Sequence, residues 1–266
     1  ATPFARSMPV YAGDYAALAG CGVVMVAAGV TQKPGEPRLD LLNRNADIFR
    51  AIIPQIIMAA PDAVLLIATN PVDVMTHLVS DIARGLGVAS ARINGSGTML
   101  HTARLRALLS RHLGISSHSV HAYVLGEHGD SEVLHWSGAA VGTIPLSTFA
   151  ADVRCPVTAD VQARIDDGVR HAAARIIKGK GATYYGIGAG MARLVQAIID
   201  NESALLTCSF RHAEVAGVRD VTLSLPAIVN AGGIAHIIQP PLSGDEHAAL
   251  GRSAAILREA ATAIGC

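Results

Sequence analysis

Apolar residues fall along this chain in two kinds of pattern. Gly22-Val23-Val24-Met25-Val26-Ala27-Ala28-Gly29 and Ala63-Val64-Leu65-Leu66-Ile67-Ala68 are unbroken runs of strand length, as expected of parallel strands covered on both faces. Between them Leu42, Ala46, Phe49, Ile53 and Ile56 recur at helical spacing, which predicts a helix from about Leu39 to Ala60, kinked at Pro54. A second helix is predicted from Val72 to about Arg84, with Pro71 suited to its first position. Strand, helix, strand, helix is the signature of a doubly wound α/β sheet. Ligands of such sheets bind beyond the carboxyl ends of the strands, where Gly29 and Asn70 fall.

The texture changes near Gly95. Helical patterns at Thr98–His112, Ala159–Lys178, Ile187–Asn201 and Gly244–Ile264 alternate with strand patterns around Ser119–Leu125, Ala204–Arg211 and Arg219–Leu225. The expectation is therefore a dinucleotide-binding domain over 1–94 and an α+β substrate domain over 95–266. No linker, repeat or low-complexity tract separates them, so the two should pack tightly.

Composition narrows the classes. Of 266 residues, 51% are hydrophobic and 16% charged, enough apolar material for a large core. Lys plus Arg (21) equals Asp plus Glu (21), which makes nucleic acid and anionic membrane poor partners. The four cysteines are scattered without a CxxC pair, against a zinc site or disulfide framework and for a reducing, cytoplasmic setting. No apolar run approaches the ~20 residues that a transmembrane helix needs.

The candidate chemistry centres on Gly126-Glu127-His128-Gly129-Asp130-Ser131, a histidine on a glycine-flanked turn after a strand-like segment. Its side chain is the one whose ordinary pKa lies nearest neutrality, which suits a proton donor and acceptor. Arg38 ends a polar Pro/Gly loop, Gln32 to Arg38, that could close as a lid over a substrate oxygen. Arg104 could hold a carboxylate with its two-pronged guanidinium, and Asn70 could orient a carbonyl. Taken singly, each arginine reads as a solvated surface residue and the histidine as an ordinary one. Together they suit a small anionic hydroxy or keto acid.

These segments, with Ala68-Thr69-Asn70-Pro71-Val72-Asp73, Gly95-Ser96-Gly97-Thr98 and Thr102-Ala103-Arg104, resemble the L-lactate/malate dehydrogenase family from Ala1 to the C-terminus. The resemblance implies reversible hydride transfer between NADH and pyruvate. It makes His128 the acid/base, Arg38 the lid arginine, and Arg104 the carboxylate anchor with Thr183 beside it. Asn70 would touch substrate and nicotinamide, while Ala28, Gly29, Ala68, Thr69, Ser96 and Ile187 would contact NAD. Gln32, being neutral, suits the methyl end of pyruvate, where an arginine would favour oxaloacetate. Malate or another 2-hydroxy acid is the alternative substrate. Arg106 and His121 match a pair that binds fructose 1,6-bisphosphate at a subunit interface of homotetrameric members.

Two departures stand out. His101 occupies the position of an aspartate that orients the family's acid/base histidine; a neutral or positive imidazole should not replace that charge, so activity should fall. A metal bound by His101 and His128 lacks further evident ligands, so none is expected. The family's opening strand, GxGxxG turn, helix and acidic-ended strand have no counterpart before Ala1. That predicts an N-terminally incomplete Rossmann-type sheet, with Met8-Pro9-Val10-Tyr11 as its third strand and Val23–Ala28 as an exposed edge. A truncated sequence explains this, as does a degenerate relative: an inert sugar-phosphate-binding or structural subunit.

Overall fold

The structure, a computed structural model, describes residues 8–30 and 38–266, with the backbone alone at Arg38. Its first half alternates β1 (Val23–Val26), α1 (Arg38–Ala59), β2 (Val64–Ile67), α2 (Val72–Gly85) and β3 (Ile93–Gly95). β2 lies between β1 and β3, parallel to both. All four of its residues are buried, so its continuous apolar run is what that position demands. α1 keeps Pro54 inside its length and turns Leu42, Ala46, Phe49, Ile53 and Ile56 into the core.

The second half adds α3 (Met99–Leu113) and the short strands β4 (Val120–His121), β5 (Val124–Leu125), β6 (Val133–Leu134), β7 (Ala140–Val141) and β8 (Ile144–Pro145). The helices α4 (Leu146–Asp152), α5 (Ala159–Arg170), α6 (Ala172–Lys180) and α7 (Tyr185–Ile199) follow. Then come β9 (Ala204–Val215), β10 (Val218–Asn230), β11 (Gly233–Ile237) and α8 (Gly244–Ala263). β9 and β10 turn over Ala216 and Gly217, both at positive φ, as in a two-residue type I′ hairpin.

One sheet, ordered β1-β2-β3-β9-β10-β11, crosses both halves through the antiparallel pair Gly95↔Ser209. Its core runs from Val24 and Phe49 to Leu223 and Leu257. A second core gathers Leu105, Leu109, Val120, Ile165 and Val169 around α3 and α5.

Several expectations need correction. Met8–Tyr11 is not a strand: Met8, Val10 and Tyr11 are exposed, and no strand of the described residues lies beside them to accept a ladder. β1 is an edge with β2 as its partner, as the pattern implied. The Ser119–Leu125 strand is broken. β4 pairs with β7 and β5 with β6, because the chain turns between two sheets there. The Ala159–Lys178 helix divides at His171, which caps both α5 and α6. Pro71 stands at the cap of α2 instead of in its first turn. α4 and β11 carry no periodic signal and went unforeseen.

Candidate active site

The carboxyl ends of β1, β2 and β3 lie side by side. Ala28 and Gly29 follow β1, Ala68, Thr69 and Asn70 follow β2, and Ser96 follows β3. Parallel pairing fixes these ends: Ala68 N–H donates to Val26 O and Ser96 N–H to Ile67 O. The Thr69 hydroxyl donates to Ala28 O at 2.6 Å. A side chain at Gly29 would put its Cβ 2.8 Å from Thr69 Cγ2 and 3.1 Å from Asn45 Oδ1, so glycine keeps this ledge low. Asn70 is exposed, and its carbonyl accepts from Asn45 Nδ2.

Beyond β3 the chain enters α3 through Gly97 and Thr98. Gly97 has φ +53°, and a Cβ there would lie 2.5 Å from Ser209 N. Only glycine fits. Thr98 N–H donates to Ser224 Oγ at 3.0 Å and its hydroxyl donates to Val124 O, which sets the start of α3. His101 and Arg104, three residues apart, then share one face of the helix.

His128 arrives on the turn after β5. The Gly126 bridge to Ser224 on β10 anchors that turn, as does His128 N–H donating to Asp73 Oδ2 at 2.7 Å. Asp73 Oδ1 accepts from Ser209 Oγ at 2.6 Å. Burial pushes the Asp73 carboxyl up to about 7, against both of those hydrogen bonds. Glu127, behind the turn, accepts from Ser131 N–H at 3.0 Å.

The rings of His128 and His101 stand 4.4 Å apart at 45°. On its far side, His101 Nδ1 bonds Glu132 Oε2, and both side chains are buried. Burial pushes His128 down to about 3, helped by Arg104 and by His101 whenever that ring is protonated, while a contact with the Gly97 backbone works the other way. Burial also lowers Arg104, and Glu132 opposes it. Three buried atoms here have no hydrogen-bond partner: His128 Nδ1, Arg104 NH1 and Glu132 Oε1. Buried polar atoms are rarely left so. Two of the three, His128 Nδ1 and Arg104 NH1, can donate, and together they describe a place for an anion with an acceptor oxygen.

His128, His101 and Arg104 therefore come together as the sequence suggested. The idea that no negative charge backs His128 needs correction, because the buried Glu132 carboxylate lies one ring away. Gln32 and the rest of 31–37 fall outside the described residues, as does the side chain of Arg38 at the start of α1. Thr183 sits in the loop before α7, and among the described residues no hydrogen bond joins it to the cluster. Ile187 on α7 is half-buried against the main core. α7 meets α3 where Gly186 faces Leu100 and Gly190 faces Met99. Arg106 donates to Ala122 O at 3.0 Å and lies over the Tyr123 ring, whereas His121 is exposed. Arg106 also lines a cavity of about 510 Å³ with His118 and Arg193. Asp73, Glu132, Ser209 and Ser224 were missed. Glu132 falls just past the Gly-Glu-His-Gly-Asp-Ser run, and that proximity was its one signal.

A parallel sheet with a low ledge at its strand ends, joined to a proton-handling histidine and an anion-ready arginine, defines a nucleotide-dependent α/β enzyme in outline. The NAD binding domain model of the lactate/malate dehydrogenases matches residues 1–87, and their α/β C-terminal domain model matches residues 98–264. The chain belongs to the lactate/malate dehydrogenase family. It is 53% identical to an L-lactate dehydrogenase of Allorhizobium ampelinum over 266 residues, covering all of this chain and 85% of that one. It is 55% identical to that of Thermus aquaticus, covering 84% of the relative. Among solved structures, a lactate dehydrogenase from a Medee basin deep-sea metagenome library superposes with a TM-score of 0.92 at 39% identity, covering 98% of this chain and 82% of that one. The minor L-lactate dehydrogenase of Enterococcus mundtii, in its ligands-bound form, gives 0.88 at 36% identity, covering 95% and 79%. NAD is the family's cofactor, and the absence of a Cβ at Gly29, which would meet Thr69 and Asn45, leaves the strand-end ledge open as a cofactor site requires. Among the described residues no helix is long and apolar enough to cross a membrane, and no group of three or more His, Cys, Asp or Glu could hold a metal ion.

Proposed function

We propose that this chain is an NAD-dependent L-lactate dehydrogenase, interconverting pyruvate and L-lactate. Arg104 NH1, buried and without a partner beside His128, carries this reading, because it calls for an anionic substrate there. Bound NAD supplies the hydride acceptor or donor. The protein's own groups do the rest. Arg104 holds the substrate carboxylate, which fixes the carbonyl or hydroxyl oxygen near His128. His128 gives a proton to the pyruvate oxygen in reduction and takes it from lactate in oxidation. A bound carboxylate also offsets the Arg104 charge that depresses His128, so the loaded site favours the protonated imidazole more than the empty one does.

The family roles extend this reading to residues not in contact in the cluster. Arg38 polarises the carbonyl, Gln32 accepts the methyl end, and Asn70 and Thr183 complete the substrate contacts. Ala28, Gly29, Ala68, Thr69, Ser96 and Ile187 line the cofactor. The division at 94/95 separates the cofactor and substrate halves. Arg106 and His121 bind fructose 1,6-bisphosphate in a homotetramer, in the cytoplasm. NADH oxidation with a panel of 2-keto acids tests the substrate assignment. Pyruvate should be preferred, and Gln32→Arg should move the preference to oxaloacetate by about 2 kcal/mol or more. No turnover of any 2-keto acid rejects the activity, and equal turnover of pyruvate and oxaloacetate rejects the lactate assignment.

A further inference from the structure

We infer that Glu132 is a positioning residue for His128, acting through His101 as a neutral bridge: Glu132 carboxylate, His101 imidazole, His128 imidazole. The inference rests on the proposed role of His128 in proton transfer. Glu132 Oε2 occupies His101 Nδ1, so in neutral His101 that nitrogen is the donor and Nε2 is left with its lone pair. His128 Nδ1 is buried without a partner. The His101 ring is 4.4 Å away, centre to centre, and its Nε2 is the ring nitrogen still able to accept. In the proposed bridge the orphan Nδ1–H donates to that Nε2 across the two adjacent rings. The negative charge then acts on His128 at one ring's remove, and the His128 tautomer is set with its other nitrogen toward the substrate.

The surroundings permit this arrangement. Glu132 comes just before β6, where the Arg170 guanidinium of α5 donates to its backbone carbonyl. Its carboxylate faces Arg104 from the same helix as His101, and Arg170 from α5. Those two arginines face the carboxylate with positive charge that does not depend on His101. Among the described residues, Asp73 holds the His128 backbone and Glu127 lies behind the turn. The competing arrangement is a Glu132–imidazolium ion pair at His101. It would put a positive charge against His128 and suppress proton donation.

Two measurements separate them. ¹⁵N NMR of the histidines in the unmodified chain reads the His101 ring directly. From pH 6 to 8 the bridge predicts one protonated and one lone-pair nitrogen, with a coupling across to His128 Nδ1. Two protonated nitrogens, or no coupling to His128, overturn the inference even if the chain proves inactive. Glu132→Gln keeps an acceptor for His101 and removes the charge. Through the bridge it lowers kcat for pyruvate about tenfold or more, leaves KM within a few-fold, and moves the alkaline limb of kcat down by about one pH unit. Glu132→Asp restores part of both. An unmoved or raised limb in a folded Glu132→Gln protein overturns the inference while leaving the proposed activity standing; should that variant not fold, the NMR result decides.

Discussion

Replacing His101 with aspartate tests the electrostatics of the whole site. As it stands, the His128 pKa is pushed down to about 3, by burial first, then by His101 whenever that ring is protonated, and by Arg104. At pH 7 that is about four units below the solution, so roughly one imidazole in 10,000 carries the proton that pyruvate reduction needs. His101→Asp takes away the imidazole and places an opposite charge against the His128 ring. An opposite charge at that range raises a pKa by about 1–3 units, or about 1.4–4 kcal/mol. If proton donation limits turnover, kcat for pyruvate at pH 7 should rise about 10- to 1,000-fold, toward the lower end if Glu132 already acts through His101. The substitution has a structural cost, because it takes from Glu132 its hydrogen-bonded partner and sets a second carboxylate near it; about 1–3 kcal/mol of stability should be lost. Steady-state NADH oxidation across pH, with a thermal melt as control, reads both. A folded variant with unchanged kcat and an unmoved alkaline limb would refute the reasoning.

Four further perturbations probe the supports around the site. Arg104→Lys keeps the charge but loses the two-pronged grip, so KM for pyruvate should rise about 30-fold or more with a smaller change in kcat; an unchanged KM removes Arg104 from the substrate site. Asp73→Asn turns an amide N–H toward one of two donors, Ser209 Oγ or His128 N–H. It should cost about 1–3 kcal/mol in urea unfolding and lower kcat, and a neutral result on both counts against the tether. Gly97→Ala brings a Cβ 2.5 Å from Ser209 N and 2.8 Å from the Cys208 carbonyl carbon at positive φ. The loss should exceed about 2 kcal/mol, and a change within about 0.5 kcal/mol contradicts it. Buried His212 titrates near 4, lowered by burial against its bond to Leu223 O. Its folded pKa lies below the unfolded value near 6.5, so the unfolded chain binds the proton first and stability falls as pH drops from 6.5 toward 4. At pH 5 that loss is about 2 kcal/mol, and His212→Gln should narrow the pH 7-to-5 stability gap by about that much. Equal gaps in the two proteins argue against it.

What the sequence made legible follows from which interactions are periodic. β2 and α1 were plain because a strand buried on both faces and a helix buried on one each leave a repeating apolar mark. β4 and β5 were not, because a two-residue strand has no period and its partner is chosen by tertiary packing. Met8–Tyr11 misled for a related reason: its residues suit a strand, but a strand exists only where another backbone supplies the ladder. His128, His101 and Arg104 were found through motif and helical spacing. Asp73 and Glu132 were not singled out, because acidic residues in helices and loops are usually solvated and nothing local distinguishes these two. Their roles come from partners far along the chain, Ser209 for Asp73 and His101 for Glu132.

Those long-range partners tie the two halves together around His128, even though the chemistry was legible in short motifs. The His128 turn is held at its backbone by Asp73 from the first half and, through Gly126, by Ser224 on β10. Ser224 also receives Thr98 N–H at the start of α3, the helix that carries His101 and Arg104. Ser209 pairs with Gly95 in the sheet and donates to Asp73. The strand that ends the first half is thus bonded to the same β9 residue that steadies the tether of the histidine turn. The distance between the ledge after β1 and β2 and the imidazole of His128 is set, among the described residues, by this closed circuit of bonds. Loosening any one member, such as Ser209, should therefore shift His128 relative to the strand ends and lower kcat before it alters the affinity of Arg104 for a carboxylate.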